Sequence, residues 1–154
     1  MRFHLIDKVD EYEPGTSVRA RKLTSYSEEY WEELDGGPPV MPVTFPLEAL
    51  CQAATWLIMI TTERKKRAAL LSIGSVDFQE SVHPGDILIM EGRIETMSDE
   101  TGVVSGQVTT DDGRKVLDAA DIMCALIDAD RLADLEDTER LQQMLTREGE
   151  GLTG

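Results

Sequence analysis

A chain of 154 residues suits one domain that buries roughly 70% of its unfolded surface in a single core, and no second domain is needed. Fifteen basic residues against 30 acidic ones give a net charge of -15 and a pI near 4.4, which excludes nucleic acid as a ligand and argues against docking on an anionic membrane. A hydrophobic fraction of 41% is that of an ordinary soluble protein, and the longest nearly apolar run, Ala53 to Ile60, is far short of the roughly 20 residues of a membrane span.

In chain order, Met1-Arg2-Phe3-His4 lacks a signal-peptide core, so a cytoplasmic protein is expected. Leu5 to Tyr12 reads as a strand, Pro14-Gly15 as a turn, and Ser17 to Leu23 as a second strand, in which Val18, Ala20 and Lys22 alternate with Arg19 and Arg21. Ser25 to Leu34 predicts a short helix begun by a Ser cap and stopped at Asp35-Gly36-Gly37-Pro38-Pro39. From Pro46, suited to a first helical turn, nothing breaks a helix until about Lys66. Its apolar residues run all round through Ile60, so the first half should be buried on most sides. Glu63-Arg64-Lys65-Lys66-Arg67 then puts cations near the helix end, where they complement its dipole or offer a patch to an acidic carrier protein.

Four more strands follow, Ala68 to Phe78, Ile87 to Thr96, Val103 to Thr110 and Lys115 to Ile127. They are joined by Pro84-Gly85-Asp86, by Ser98 to Gly102, and by Asp111-Asp112-Gly113-Arg114, whose Asp-Gly pair signals a hairpin. One long helix followed by an antiparallel meander implies an α+β fold, a curled sheet wrapped around a central helix. Residues 1-128 should form this domain. Residues 129-154 should form an acidic C-terminal helix or tail, with Leu132, Leu135, Leu141 and Leu145 as a weak stripe along Asp130 to Arg147.

The residue that carries most chemistry is Glu48. A carboxylate among Leu47, Ala49, Leu50, Ala53 and Ala54 is costly to bury, and points to a proton donor or a paired structural group. Gln52, one turn on, is placed to orient that carboxylate or a substrate, or to make a capping or interface hydrogen bond. Trp56 and Met59 would fill the core or line a cavity. Cys51 and Cys124 read as buried small hydrophobes, since a thiol without a base or cation beside it stays protonated. With His4 and His83 the only histidines and no close Cys/His spacing, neither a metal nor a cofactor is expected.

Several of these segments resemble the hot-dog-fold (3R)-hydroxyacyl-acyl-carrier-protein dehydratases, the FabZ-like group of fatty-acid and polyketide synthesis. Phe3-His4-Leu5-Ile6-Asp7-Lys8-Val9 is similar to that family's opening, Glu13-Pro14-Gly15 follows it, and Pro39-Val40-Met41-Pro42 leads to Leu47-Glu48-Ala49-Leu50-Cys51-Gln52. Phe78 and Val82-His83-Pro84-Gly85-Asp86 match a later strand and turn, so the likeness spans the chain to about Ile127. The resemblance implies a hot-dog dimer without cofactor that takes an acyl carrier protein or acyl-CoA thioester. In it a His from a Gly-His-Phe-Pro-Gly loop removes the α-proton, and the helix Glu, supplied across the subunit interface, helps the hydroxyl leave as water.

Glu48 carries over as the acid. The Gly-His-Phe-Pro-Gly positions are here Glu33-Leu34-Asp35-Gly36-Gly37, so Leu34 stands where the base would be, and Val43 replaces a Gly. Gly37 keeps a backbone N–H that would hold the thioester oxygen. Gln52 and Trp56 are expected to bind substrate. The substitutes for the base are His83, His4, and Asp35 or Glu33. A lone Glu implies half of a pair, a subunit that lends Glu48 to a composite site whose His comes from a related hot-dog partner. The alternatives are a self-sufficient homodimeric thioesterase or isomerase using Glu48 with Asp35, and a non-catalytic acyl-binding or scaffold protein.

Overall fold

The computed structural model describes residues 4–129 and 135–146. Its elements are β1 (Lys8–Glu13), β2 (Ser17–Leu23), α1 (Thr44–Thr61), β3 (Lys66–Phe78), β4 (Ile87–Met97), β5 (Thr101–Thr110), β6 (Lys115–Asp128) and α2 (Leu135–Thr146). The six strands form one antiparallel sheet in the order β1-β2-β4-β5-β6-β3. Alternation decides which face meets the helix: Val18 and Ala20 of β2, Leu88 and Met90 of β4, Val104 and Val108 of β5, and Ile122 and Cys124 of β6 are all buried. The sheet curls over α1, and Leu50, Ala53, Leu57 and Ile58 fill the space between them. This is the hot-dog arrangement expected from the sequence.

The close approach of α1 to the sheet depends on Gly106. Gly92 of β4 and Gly106 of β5 face each other across the ladder. A Cβ added at Gly106 would run into the Glu91 carbonyl and come within 2.9 Å of Leu50 Cδ1 and 3.1 Å of Gly92 Cα. The sheet is thus bare of side chains where Leu50 presses on it, and the first turns of α1 are held against its middle.

Three expectations are corrected. Ser25–Leu34 is not a helix but a run of turns, because local polar groups and a long-range pairing take its backbone. Glu28 N–H donates to the Ser25 carbonyl, the Trp31 indole N–H reaches the same oxygen at 2.8 Å, and Glu32 and Val40 exchange two backbone hydrogen bonds of 2.8 Å. The segment instead lays Tyr30 edge-on against Phe45 of α1, with ring centroids 5.2 Å apart. Second, α1 stops at Thr61 rather than near Lys66. Thr62 turns its hydroxyl back onto the Ile58 carbonyl, and Glu63 and Arg64 follow in left-handed conformation with φ of 54° and 67°. Third, the basic cluster therefore does not lie on the last helical turn: Lys66 opens β3 and pairs with Asp128 of β6 at 2.6 Å.

The C-terminal helix lies against the domain. Leu145 is buried in the common core, and Gln142 Oε1 accepts from the Arg64 guanidinium at 3.4 Å. Leu132 and the remainder of the predicted tail, residues 130–134 and 147–154, lie outside the described residues. No helix among the described residues is long and apolar enough to cross a membrane.

Candidate functional site

Positions 48, 52 and 56 are successive i,i+4 neighbours, so α1 presents Glu48, Gln52 and Trp56 as one stripe. Gln52 is the fixed point of that stripe. Its Oε1 accepts the Leu5 backbone N–H at 2.8 Å, and its Nε2 donates to Glu48 Oε1 at 3.3 Å. The two bonds define the amide's orientation: a backbone N–H meets only an oxygen, which turns the NH₂ toward the carboxylate. The N-terminal segment, α1 and the acid are thereby linked through Gln52.

The expectation that Glu48 is buried is corrected. In the single chain Glu48 is exposed, because the buried positions Pro46, Ala49, Leu50, Ala53 and Leu57 follow the helical period on the opposite side. Apolar residues surround Glu48 in sequence, but their side chains point into the sheet. Its neighbours on the outer face, Leu47, Cys51, Gln52 and Thr55, are only partly buried.

Below Glu48 the stripe runs into a cavity of about 270 Å³. Gln52 and Trp56 form one wall, His4, Ile6 and Asp7 another, and Met144 and Leu145 of α2 the third. Trp56 itself is 7% exposed and packs with the core, so it both fills the core and faces the cavity. His4, Leu5 and the two α2 residues were not singled out by the sequence as parts of one site. Only the Leu145 position in the weak C-terminal stripe hinted that this segment docks.

The loop before α1 is built separately. Asp35 and Gly36 are both left-handed, with φ of 51° and 71°, and the Gly37 N–H donates to the Leu34 carbonyl at 2.9 Å. That N–H is engaged within the turn, and Gly37 is not among the residues lining the cavity beside Gln52. The Leu34 side chain is 62% exposed. His83 Nδ1 lies 3.0 Å from the Pro39 carbonyl, and its backbone N–H donates to Asp86 at 2.8 Å. A carbonyl only accepts, so Nδ1 carries the proton and His83 ties the loop to the β3–β4 turn. Cys51, a turn after Glu48, is pushed up to about 11 by burial and then by the negative charge of Glu48 and the neighbouring Cys124. Its thiol is therefore neutral at physiological pH and is not a nucleophile.

Comparison with known proteins agrees with this architecture. A family model described as a FabA-like domain matches residues 1–120. A 3-hydroxyacyl-(acyl-carrier-protein) dehydratase FabZ of Lactobacillus helveticus (strain DPC 4571) is 36% identical over 108 residues, which is 70% of this chain and 73% of that protein. Among solved structures, smu.793 from Streptococcus mutans UA159 bound to acetyl CoA superposes with a TM-score of 0.62 at 19% identity, covering 83% of this chain and 92% of the other. The dehydratase heterocomplex ApeI:P from Xenorhabdus doucetiae gives a TM-score of 0.61 at 16% identity, covering 89% and 88%. At those identities the structural likeness is one of fold, whereas the matched family model extends over most of the sequence and carries the helix with Glu48 and Gln52. The chain belongs to the FabA-like family of hot-dog-fold proteins.

Proposed function

We propose that this chain is a subunit of a β-hydroxyacyl thioester dehydratase acting on carrier-bound acyl chains in fatty-acid or polyketide synthesis. Its curated relative is an acyl-carrier-protein dehydratase, and Glu48 with its Gln52 partner occupies the helix position that the resemblance assigns to the acid. In the reaction a base takes the proton from the α-carbon, the Cα–Cβ double bond forms, and the β-hydroxyl leaves as water with the proton that Glu48 delivers. The base comes from a related partner subunit. Leu34, at the position of the family's base, has no proton-accepting atom. One of the fold neighbours is itself a dehydratase heterocomplex.

The observation that carries the proposal is the pairing of an oriented Glu48 with a hydrocarbon at position 34. The test is dehydration of a 3-hydroxyacyl carrier protein, followed by mass spectrometry of the enoyl thioester. The chain alone should turn over about 10²–10⁴ more slowly than its mixture with a His-bearing hot-dog chain. Glu48→Gln should abolish the activity of the mixture, and Leu34→His should raise the activity of the chain alone. Equal rates for the lone chain and the mixture would remove the case for a composite site.

A further inference from the structure

The helix α2 lies beyond the residues matched by the family model, which end at 120, yet it supplies one wall of the cavity lined by Trp56 and by Gln52, the hydrogen-bond partner of Glu48. Two side chains make that wall. Leu145 is buried and joins the common core, which fixes the helix in place, whereas Met144 is 59% exposed and stands at the edge of the cavity. Trp56, Ile6, Met144 and Leu145 give the cavity its apolar lining, and Gln52, His4 and Asp7 its polar lining. An acyl thioester with its reacting carbons at Glu48 would set its polar head by Gln52 and its tail against the four apolar side chains. About 270 Å³ is slightly below the usual range for a small-molecule pocket, so the chain that fits is short or medium in length.

We infer that α2 is the chain-length stop of this protein: the acyl tail of the substrate runs along α1 from Glu48 to Trp56 and ends against Met144 and Leu145. The inference rests on the acyl-thioester reading above and adds to it the residues that set tail length. Met144 is the residue to vary, because its exposure leaves the docking of α2 to Leu145.

The experiment is calorimetric titration of the full-length chain with non-hydrolysable butyryl, octanoyl and dodecanoyl pantetheine thioethers, which reads binding without requiring turnover. Met144→Trp should fill the end of the cavity and weaken octanoyl binding about tenfold while leaving butyryl binding unchanged. Met144→Ala should shift the preference toward dodecanoyl by a similar factor. Circular dichroism of each variant confirms that the fold is retained. An octanoyl-to-butyryl ratio that neither variant moves would overturn the inference. The two readings separate cleanly: a length preference that follows Met144 in a protein that dehydrates nothing leaves the inference standing and sinks the dehydratase assignment. Turnover that requires Glu48 but has a length preference indifferent to Met144 does the reverse.

Discussion

Gln52 Oε1 accepts the Leu5 N–H at 2.8 Å, and the remainder of that amide reaches Glu48. Removing the side chain therefore has two consequences of different size. Gln52→Ala leaves the Leu5 N–H without its acceptor and should cost about 1 kcal/mol in a urea melt. It should cost proportionately more in turnover, as Glu48 then samples orientations away from the substrate. A melt unchanged within error would mean that the Leu5 bond contributes nothing. One residue earlier, Cys51 has its thiol pushed up to about 11, burial being the main cause. Because the protonated form is favoured in the folded state, the associated stability is complete below the ordinary thiol range near pH 9 and is lost as pH rises toward 11. Alkylation of native protein by iodoacetamide should accordingly be slow at pH 8 and accelerate only toward pH 11, roughly where the thiolate forms. Rapid modification at neutral pH would contradict a raised Cys51 thiol.

Element packing turns on the paired glycines under α1. Gly106 faces Leu50 and pairs with Gly92, and a methyl group there would run into the Glu91 carbonyl, a backbone atom that does not yield as the Leu50 side chain can. Gly106→Ala should destabilise the fold by about 1–3 kcal/mol, measured as a lower urea midpoint with unchanged slope. An equally stable variant would show that α1 can lift from the sheet. Elements also explain which parts of the sequence were readable. The strands alternate cleanly and the Asp-Gly and Pro-Gly-Asp turns mark their ends, so β2, β4, β5 and β6 fall within a few residues of expectation. The Ser25–Leu34 segment misled because its Ser cap and aromatic content fit a helix locally, whereas its backbone partner, Val40, lies beyond the turn. The helix end misled for a similar reason: a Thr hydroxyl and two left-handed residues without glycine stop α1, and neither signal is strong in sequence.

At the scale of the whole molecule, one edge of the sheet is unprotected. β3 is an outer strand of 13 residues, and the register shift between Leu70 and Ser72 inserts Leu71, so that Leu70 and Leu71 are 50% and 60% exposed beside Phe78 at 45%. A long edge strand with exposed leucines is a template for pairing with another chain. Sedimentation should find a dimer, alone or with the His-bearing partner, and Leu71→Asp should shift it toward monomer while leaving the far-ultraviolet spectrum intact. A monomer at micromolar concentration, with the edge unaltered, would remove the route by which a partner reaches Glu48.

Periodicity and turn chemistry, which act over a few residues, were enough to determine the strands, the long helix, the wrapped-sheet class and the one-turn spacing of Glu48 and Gln52. Tertiary structure alone decided that Glu48 faces outward, that the Gly37 N–H is held by Leu34, that the Leu5 backbone orients Gln52, and that α2 completes a cavity with residues from the N-terminal segment. The division has a physical cause. A helix's apolar period says which residues are hydrophobic, but which side of a mixed stretch meets the sheet, and which distant N–H or side chain arrives beside a given carboxylate, depends on how the elements close on one another.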